Sequence, residues 1–225
     1  MATIITIYVT VTVASVAIPG SRDGVHPPSR QMIGIGLLIA KRRGRQPWRF
    51  VRRAKAIAAG EPESRLLEWV ARRLPTDATM IGWNVDHAMI PVLLDAAASS
   101  PPLVAHHFVG RLHSLLRRGA VDMSLAHGGA GAPPLAAIAA DMAIYAPEWC
   151  EQATISAWST GLIDQLRHDL ADEALALWRV FVRSAGLAGI NAEAATDEWI
   201  DKDRRPCRVV RARSARDDEQ RKWRS

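Results

Sequence analysis

The chain has 225 residues, enough for one domain with its own core and short for two. Hydrophobic residues at 48% and charged residues at 23% are the composition of a packed globular protein, which excludes disorder over most of the length. Lys and Arg number 29 against 23 Asp and Glu, and the resulting +6 with a pI near 10.0 favours polyanionic partners, nucleic acid first among them. Cys150 and Cys207 are too few and too far apart for a disulfide framework or a four-ligand zinc site, and they point to a reducing cytoplasm. The apolar start over residues 4–18, with Ser15-Val16-Ala17 placed like a cleavage site, has the outline of a signal peptide. No Lys or Arg precedes it, however, and its Ile, Val and Thr content favours a strand. No later segment reaches the ~18 apolar residues a membrane helix needs. The expectation is a soluble cytoplasmic protein that does not engage a membrane.

In chain order, residues 3–16 alternate, with Thr6, Tyr8, Thr10, Thr12 and Ala14 on one face and Ile5, Ile7, Val9, Val11 and Val13 on the other, which predicts a long strand. Pro19-Gly20 ends it, and a polar loop runs to Arg30. Residues 31–40 read as a second strand, the basic turn Lys41-Arg42-Arg43-Gly44-Arg45 follows, and a third strand starts at 48–51, giving a meander. Residues 61–74 carry Leu66, Leu67, Trp69 and Val70 at helical spacing, with acids early and arginines late. A fourth strand ends at Ile81, a helix follows from Asp86 towards Ala98, and another covers 103–118. A short helix is expected at 134–143 and the last long helical stretch at 154–185. Trp69, Trp158 and Trp178 fall at core spacing, whereas Trp83 sits in a turn. Beyond Asn191 the chain becomes charged, with Trp199 and Trp223 bracketing a run of arginines, so residues 191–225 read as a basic, partly disordered extension to a domain over 1–190.

The stretch Met80-Ile81-Gly82-Trp83-Asn84-Val85-Asp86-His87-Ala88-Met89-Ile90-Pro91-Val92-Leu93 reads as strand, tight turn and helix. Its Gly-x-Asn turn, followed by an apolar residue, x, x, Pro, x and Leu, resembles the second motif of the DEDD 3′–5′ exonucleases, in the branch related to the proofreading domain of family B DNA polymerases. Further segments are similar in the family's order across residues 3–187: Arg111 with His113, then Val121-Asp122-Met123-Ser124, then Pro134 to Ala139, and a closing helix over 163–182. The resemblance implies an α/β fold of the RNase H-like type, a mixed sheet of antiparallel meander plus parallel strands flanked by helices.

The family's chemistry requires four carboxylates that hold two divalent metals about 3.5–4 Å apart. Carried over residue by residue, the resemblance places Thr12 and Ala14 at the first-strand acids and Met89 at the second-motif acid. It places Asp169 at the last acid, and Gln165 or Asp164 where a Tyr or His would orient water. Thr, Ala and Met are not ligands for a hard cation, which takes charged oxygens. Asp86 lies one helical turn before Met89, and Asp164 and Asp172 flank Asp169, so a rearranged site would be built from Asp86, Asp164, Asp169 and Asp172. His106, His107, His113 and His127 lack zinc-helix spacing, and no nucleophile elbow, dinucleotide fingerprint or phosphate loop is present.

These readings give a leading expectation and two alternatives. The first is a catalytically degenerate exonuclease-like protein, a nucleic-acid-binding or structural subunit of a nucleic-acid-processing complex, with no cofactor. Its sequence-independent contacts would come from Arg42, Arg43, Arg45, Arg117 and Arg118, with Trp83 and Asn84 at the turn. The second is an active exonuclease using Mg²⁺ or Mn²⁺ on relocated ligands. The third is a protein-interaction module whose C-terminal extension docks other subunits.

Overall fold

The computed structural model describes residues 4–17, 30–184, 186 and 191–204. Strands β1 (Ile5–Ala17), β2 (Arg30–Arg43) and β3 (Arg49–Ala56) form an antiparallel meander, and β4 (Thr79–Gly82) and β5 (Ala120–Asp122) add in parallel beyond β1. The sheet order is β3-β2-β1-β4-β5. Helices α1 (Ser64–Ala71), α2 (Ile90–Ala98) and α3 (Pro102–Arg118) join the meander to the parallel strands. Then come α4 (Leu135–Asp141), α5 (Glu151–Ser159), α6 (Ile163–Ser184) and α7 (Ala192–Arg204). The fold is α/β, a five-stranded mixed sheet flanked by helices. Among the described residues no helix is long and apolar enough to cross a membrane.

The alternation along β1 decides which layer meets which face. Ile7, Val9 and Val11 enter a core with Leu66, Val70, Leu93 and Phe108 of α1, α2 and α3. On the other face, Tyr8 joins Trp48, Phe50, Trp178 and Phe181 in an aromatic cluster against α6. Both sheet faces are therefore covered, which is why β1 and β2 read as nearly continuous apolar runs. A bulge at Ile33 interrupts the β1–β2 ladder, since Ala14 faces Gly34 while Ser15 faces Met32. The bulge sends Met32 to the α1 side and Ile33 to the α6 side. The Met32 N–H donates to the Glu63 carboxylate at 2.5 Å.

Helix α6 lies unusually close to the sheet because glycines lie beneath it. A Cβ at Gly36 would stand 2.3 Å from the Leu170 carbonyl oxygen, and one at Gly34 2.5 Å from Leu170 Cδ1. The Thr10 and Thr12 hydroxyls then donate to the carbonyls of Ala174 and Leu170 at 3.0 and 3.2 Å. The sheet thus presents two short hydroxyls and two bare backbones to one helix.

Three sequence expectations change in detail. The helical stretch expected over 154–185 is two helices, divided at Gly161, whose φ of +79° ends α5. The first helix is shorter than 61–74: Glu63 stands at its N-cap with its carboxylate on β2, and the chain leaves the helix after Ala71 in a tighter turn in which the Arg73 N–H donates to the Val70 carbonyl at 2.8 Å. Within the stretch set apart as an extension, α7 docks on α6: Trp178 Nε1 donates to Thr196 at 3.0 Å, Arg179 pairs with Asp197 at 2.9 Å, and Arg183 pairs with Glu193 at 2.5 Å. The arginine run after Arg204 lies outside the described residues. Trp178 is fully buried, Trp158 donates to the Ile57 carbonyl at 2.9 Å, and Trp69 packs partly buried against the α1 core with Arg73 over its ring, as core tryptophans should.

Candidate functional site: a cleft at the ends of the parallel strands

In an open α/β sheet, ligands are bound outside the carboxyl ends of parallel strands. Here β1 and β4 diverge above Thr10 and Ile81, and a cleft of about 640 Å³ opens between the end of β1, the β4–α2 turn and α6. Thr12, Trp83, Asn84, His87, Met89 and Glu173 line it. The turn is built by residues chosen for backbone reasons. Gly82 leaves no space for a side chain, since a Cβ there would meet Val85 Cγ2 at 2.5 Å and Met89 Cε at 3.1 Å. Asn84 takes the left-handed conformation, φ +51°, which Asn tolerates best after Gly. The chain then winds through a single π-helical turn, Val85–Met89, before Pro91 opens α2. Asp122, at the end of β5, fixes this turn by accepting from the Val85 N–H at 2.8 Å and from the Ser124 N–H and hydroxyl at 3.0 and 2.7 Å.

One carboxyl that lines the cleft is Glu173, which the sequence reading did not select. Burial pushes it up to about 8, and the nearby negative charge of Asp169 adds to the rise. The indole N–H of Trp149 opposes the rise more strongly than Asp169 adds to it, and burial outweighs both. Near neutral pH this group is a protonated acid, a donor instead of an anion. Its sequence signal was legible in principle: it interrupts the apolar stripe of Leu166, Leu170, Ala174 and Leu177 on the buried face of α6.

Of the expected site residues, Thr12, Met89, Trp83 and Asn84 converge on the cleft. Ala14 lies in an adjoining depression with Ser15, Arg30 and Trp149. Asp169 sits one helical turn before Glu173 and accepts from the Gln165 amide at 2.7 Å. Thr12 has its hydroxyl committed to the α6 backbone. The four replacement acids do not come together. Asp164 pairs with Arg167 at 2.7 Å, Asp172 pairs with Arg52 at 2.5 Å, Asp169 is held by Gln165, and Asp86 is exposed on the π turn. Among the described residues, no three His, Cys, Asp or Glu side chains are arranged to hold a metal ion. Trp83 stacks on His127, with ring centroids 5.7 Å apart.

The expected basic contacts lie elsewhere. Arg42, Arg43 and Arg45 occupy the β2–β3 turn, where Arg43 is paired opposite Ile5, and Arg42 stacks on Trp48. From Ile5 to Thr12 along β1 is about 23 Å. Arg117 and Arg118 end α3 immediately before β5, at this same far end of the sheet. The turn residues and the arginines therefore do not share one cleft. Comparison with protein-family models, with curated proteins and with solved structures gives no match for this chain.

Proposed function

We propose that the chain is an RNase H-like protein descended from DEDD 3′–5′ exonucleases that has lost catalysis and serves as a nucleic-acid-binding or structural subunit of a nucleic-acid-processing complex in a reducing cytoplasm. The sheet order with its antiparallel meander and two added parallel strands supports the ancestry, as does the cleft lying where the Gly-x-Asn motif meets β1. One observation carries the loss of catalysis: the Thr12 hydroxyl, at the position of a first-strand acid, donates to the Leu170 carbonyl. Helix α6 rests on the strand there, with Gly36 giving no stand-off, so the Thr12 side chain that lines the cleft is tied to the helix and offers no anionic oxygen to a metal. Of the two carboxyls that line the cleft, Glu173 is protonated near neutral pH and Asp95 lies exposed on α2, and this pair does not supply the ligand set of a two-metal site.

The net charge of +6 supports affinity for a polyanion without a catalytic step. A filter-binding titration with single-stranded DNA and RNA across a salt series tests this reading, alongside a nuclease assay on end-labelled oligonucleotides with Mg²⁺ or Mn²⁺. Binding that weakens steeply with salt and no release of nucleotides is the expected result. Absence of affinity at low salt removes the binding role. Degradation that is lost in Asp169→Ala or Glu173→Gln replaces the degenerate reading with an active exonuclease.

A further inference from the structure

Strand β3 is an edge of the sheet and carries four cationic residues, Arg49, Arg52, Arg53 and Lys55. Its sequence Arg49-Phe50-Val51-Arg52-Arg53-Ala54-Lys55 puts Phe50 and Ala54 inward towards α6, leaving Arg49, Val51, Arg53 and Lys55 on the opposite, α1 side. Two depressions meet at Arg53. One has a floor of Leu37, Ile39 and Val51 with walls of Arg53, Arg72 and Arg73. The other passes over the edge between Trp69 of α1 and Arg167 with His168 of α6. Together they make one continuous trough that wraps around β3, a strand about 26 Å long.

Charge accounting along the trough favours an anionic occupant. Arg52, Arg72 and Arg167 are paired with Asp172, Glu68 and Asp164. Arg49, Arg53 and Arg73 form no ion pair among the described residues. The Arg73 guanidinium lies 4.6 Å from the centroid of the Trp69 ring, so a flat cationic plane stands beside the apolar floor. Guanidinium groups hold phosphate bidentately and offer a face to unstacked bases. An acidic peptide adding as a strand is less well served, because long cationic side chains at alternate positions of an edge obstruct strand addition.

We infer that this trough around β3, and not the cleft at Glu173, is where a single-stranded nucleic acid backbone docks, independent of sequence. The inference rests on the nucleic-acid reading above and relocates its surface. It also makes the β2–β3 turn arginines an extension of the same track, since Arg49 follows that turn and pairs with Lys41.

Fluorescence anisotropy with a labelled oligothymidylate, on the full chain, tests it. Arg53→Gln/Arg73→Gln is expected to raise Kd at least tenfold at low salt and to reduce the slope of log K against log salt by about 1.4, the loss expected for two phosphate contacts on a single strand. Lys202→Gln, on α7, removes a charge that lines neither depression and should leave Kd within about twofold. Circular dichroism melting confirms that the variants are folded. If the unaltered protein binds but the double variant binds equally well, or if Lys202→Gln weakens binding as much per charge removed, the trough is not the site, while the nucleic-acid function stands. If an oligoglutamate peptide binds more tightly than the oligonucleotide at matched salt, the surface is a protein dock and the inference fails. If the unaltered protein binds no oligonucleotide, both the inference and the function beneath it fall.

Discussion

Two regions of the same sheet face α6, and they differ in kind. Lower on β1 and β2, α6 is in direct contact: Gly34 and Gly36 remove the side chains, Thr10 and Thr12 donate to helix carbonyls, and Trp178 is enclosed by Tyr8, Trp48 and Phe50. Beside this contact, between α6 and the β4–α2 turn, lies the cleft, lined by Glu173 with its raised carboxyl and by Asn84 with an unpaired amide oxygen. The lesson is that positions matching a metal-binding motif have been divided. Thr12 lines the cleft but spends its hydroxyl on anchoring the helix, while Met89 serves the cleft as part of its apolar wall.

If that division is right, substitutions in the contact region cost stability and those in the cleft do not. Trp178→Ala should be the most damaging, about 3–5 kcal/mol by chemical denaturation, because a fully buried indole and its bond to Thr196 are both lost. Gly36→Ala should cost about 3 kcal/mol, since the new methyl meets the Leu170 backbone, which moves only with the whole helix.

Glu173→Gln should act in the opposite direction and with a defined pH dependence. A carboxyl whose folded pKa is raised from 4.5 to about 8 binds more protons in the folded than in the unfolded state between those values. Its favourable contribution is complete below about pH 4.5 and is lost as pH rises through 8. The amide should therefore roughly match the acid at pH 5 and be the more stable by about 4 kcal/mol at pH 9, and an equal loss at both pH values would break the contrast. Thr12→Val should cost about 1 kcal/mol, one buried hydroxyl-to-carbonyl bond, and no more, because the Leu170 carbonyl also belongs to its helix. Addition of millimolar Mn²⁺ should shift the melting temperature by less than about 1 °C, and a larger shift abolished by Glu173→Gln would restore a metal role to the cleft.

The sequence conveyed the part of this architecture that depends on local period. The two faces of β1, the meander, the Gly82–Asn84 turn and the helix starting near Pro102 follow from alternation, turn chemistry and helix spacing. The placement of α6 against the sheet did not follow. Asp169 and Glu173 lie one helical turn apart on the same side of α6, and only the position of the cleft along the helix settles that Glu173 lines it. Where the arginines lie relative to the turn was not legible for a related reason. Arg43 and Trp83 each flank a turn, but antiparallel and parallel connections return the chain to opposite ends of a sheet. Residues 192–204 looked like an extension because their charge is high, yet the buried face of α7 needs only Ala192 and Thr196.

The anchoring of α6 also governs when the molecule can be completed. Thr10 and Thr12 find their acceptors 164 and 158 residues later in the chain. During synthesis the meander emerges first and waits, with its aromatic face and its bare glycine backbones uncovered, until the last quarter of the polypeptide arrives. Such distant closure makes folding slow and leaves an intermediate prone to self-association. A nascent chain halted before residue 163 would be a sheet without its lid, a species expected to depend on chaperones until α6 has left the ribosome.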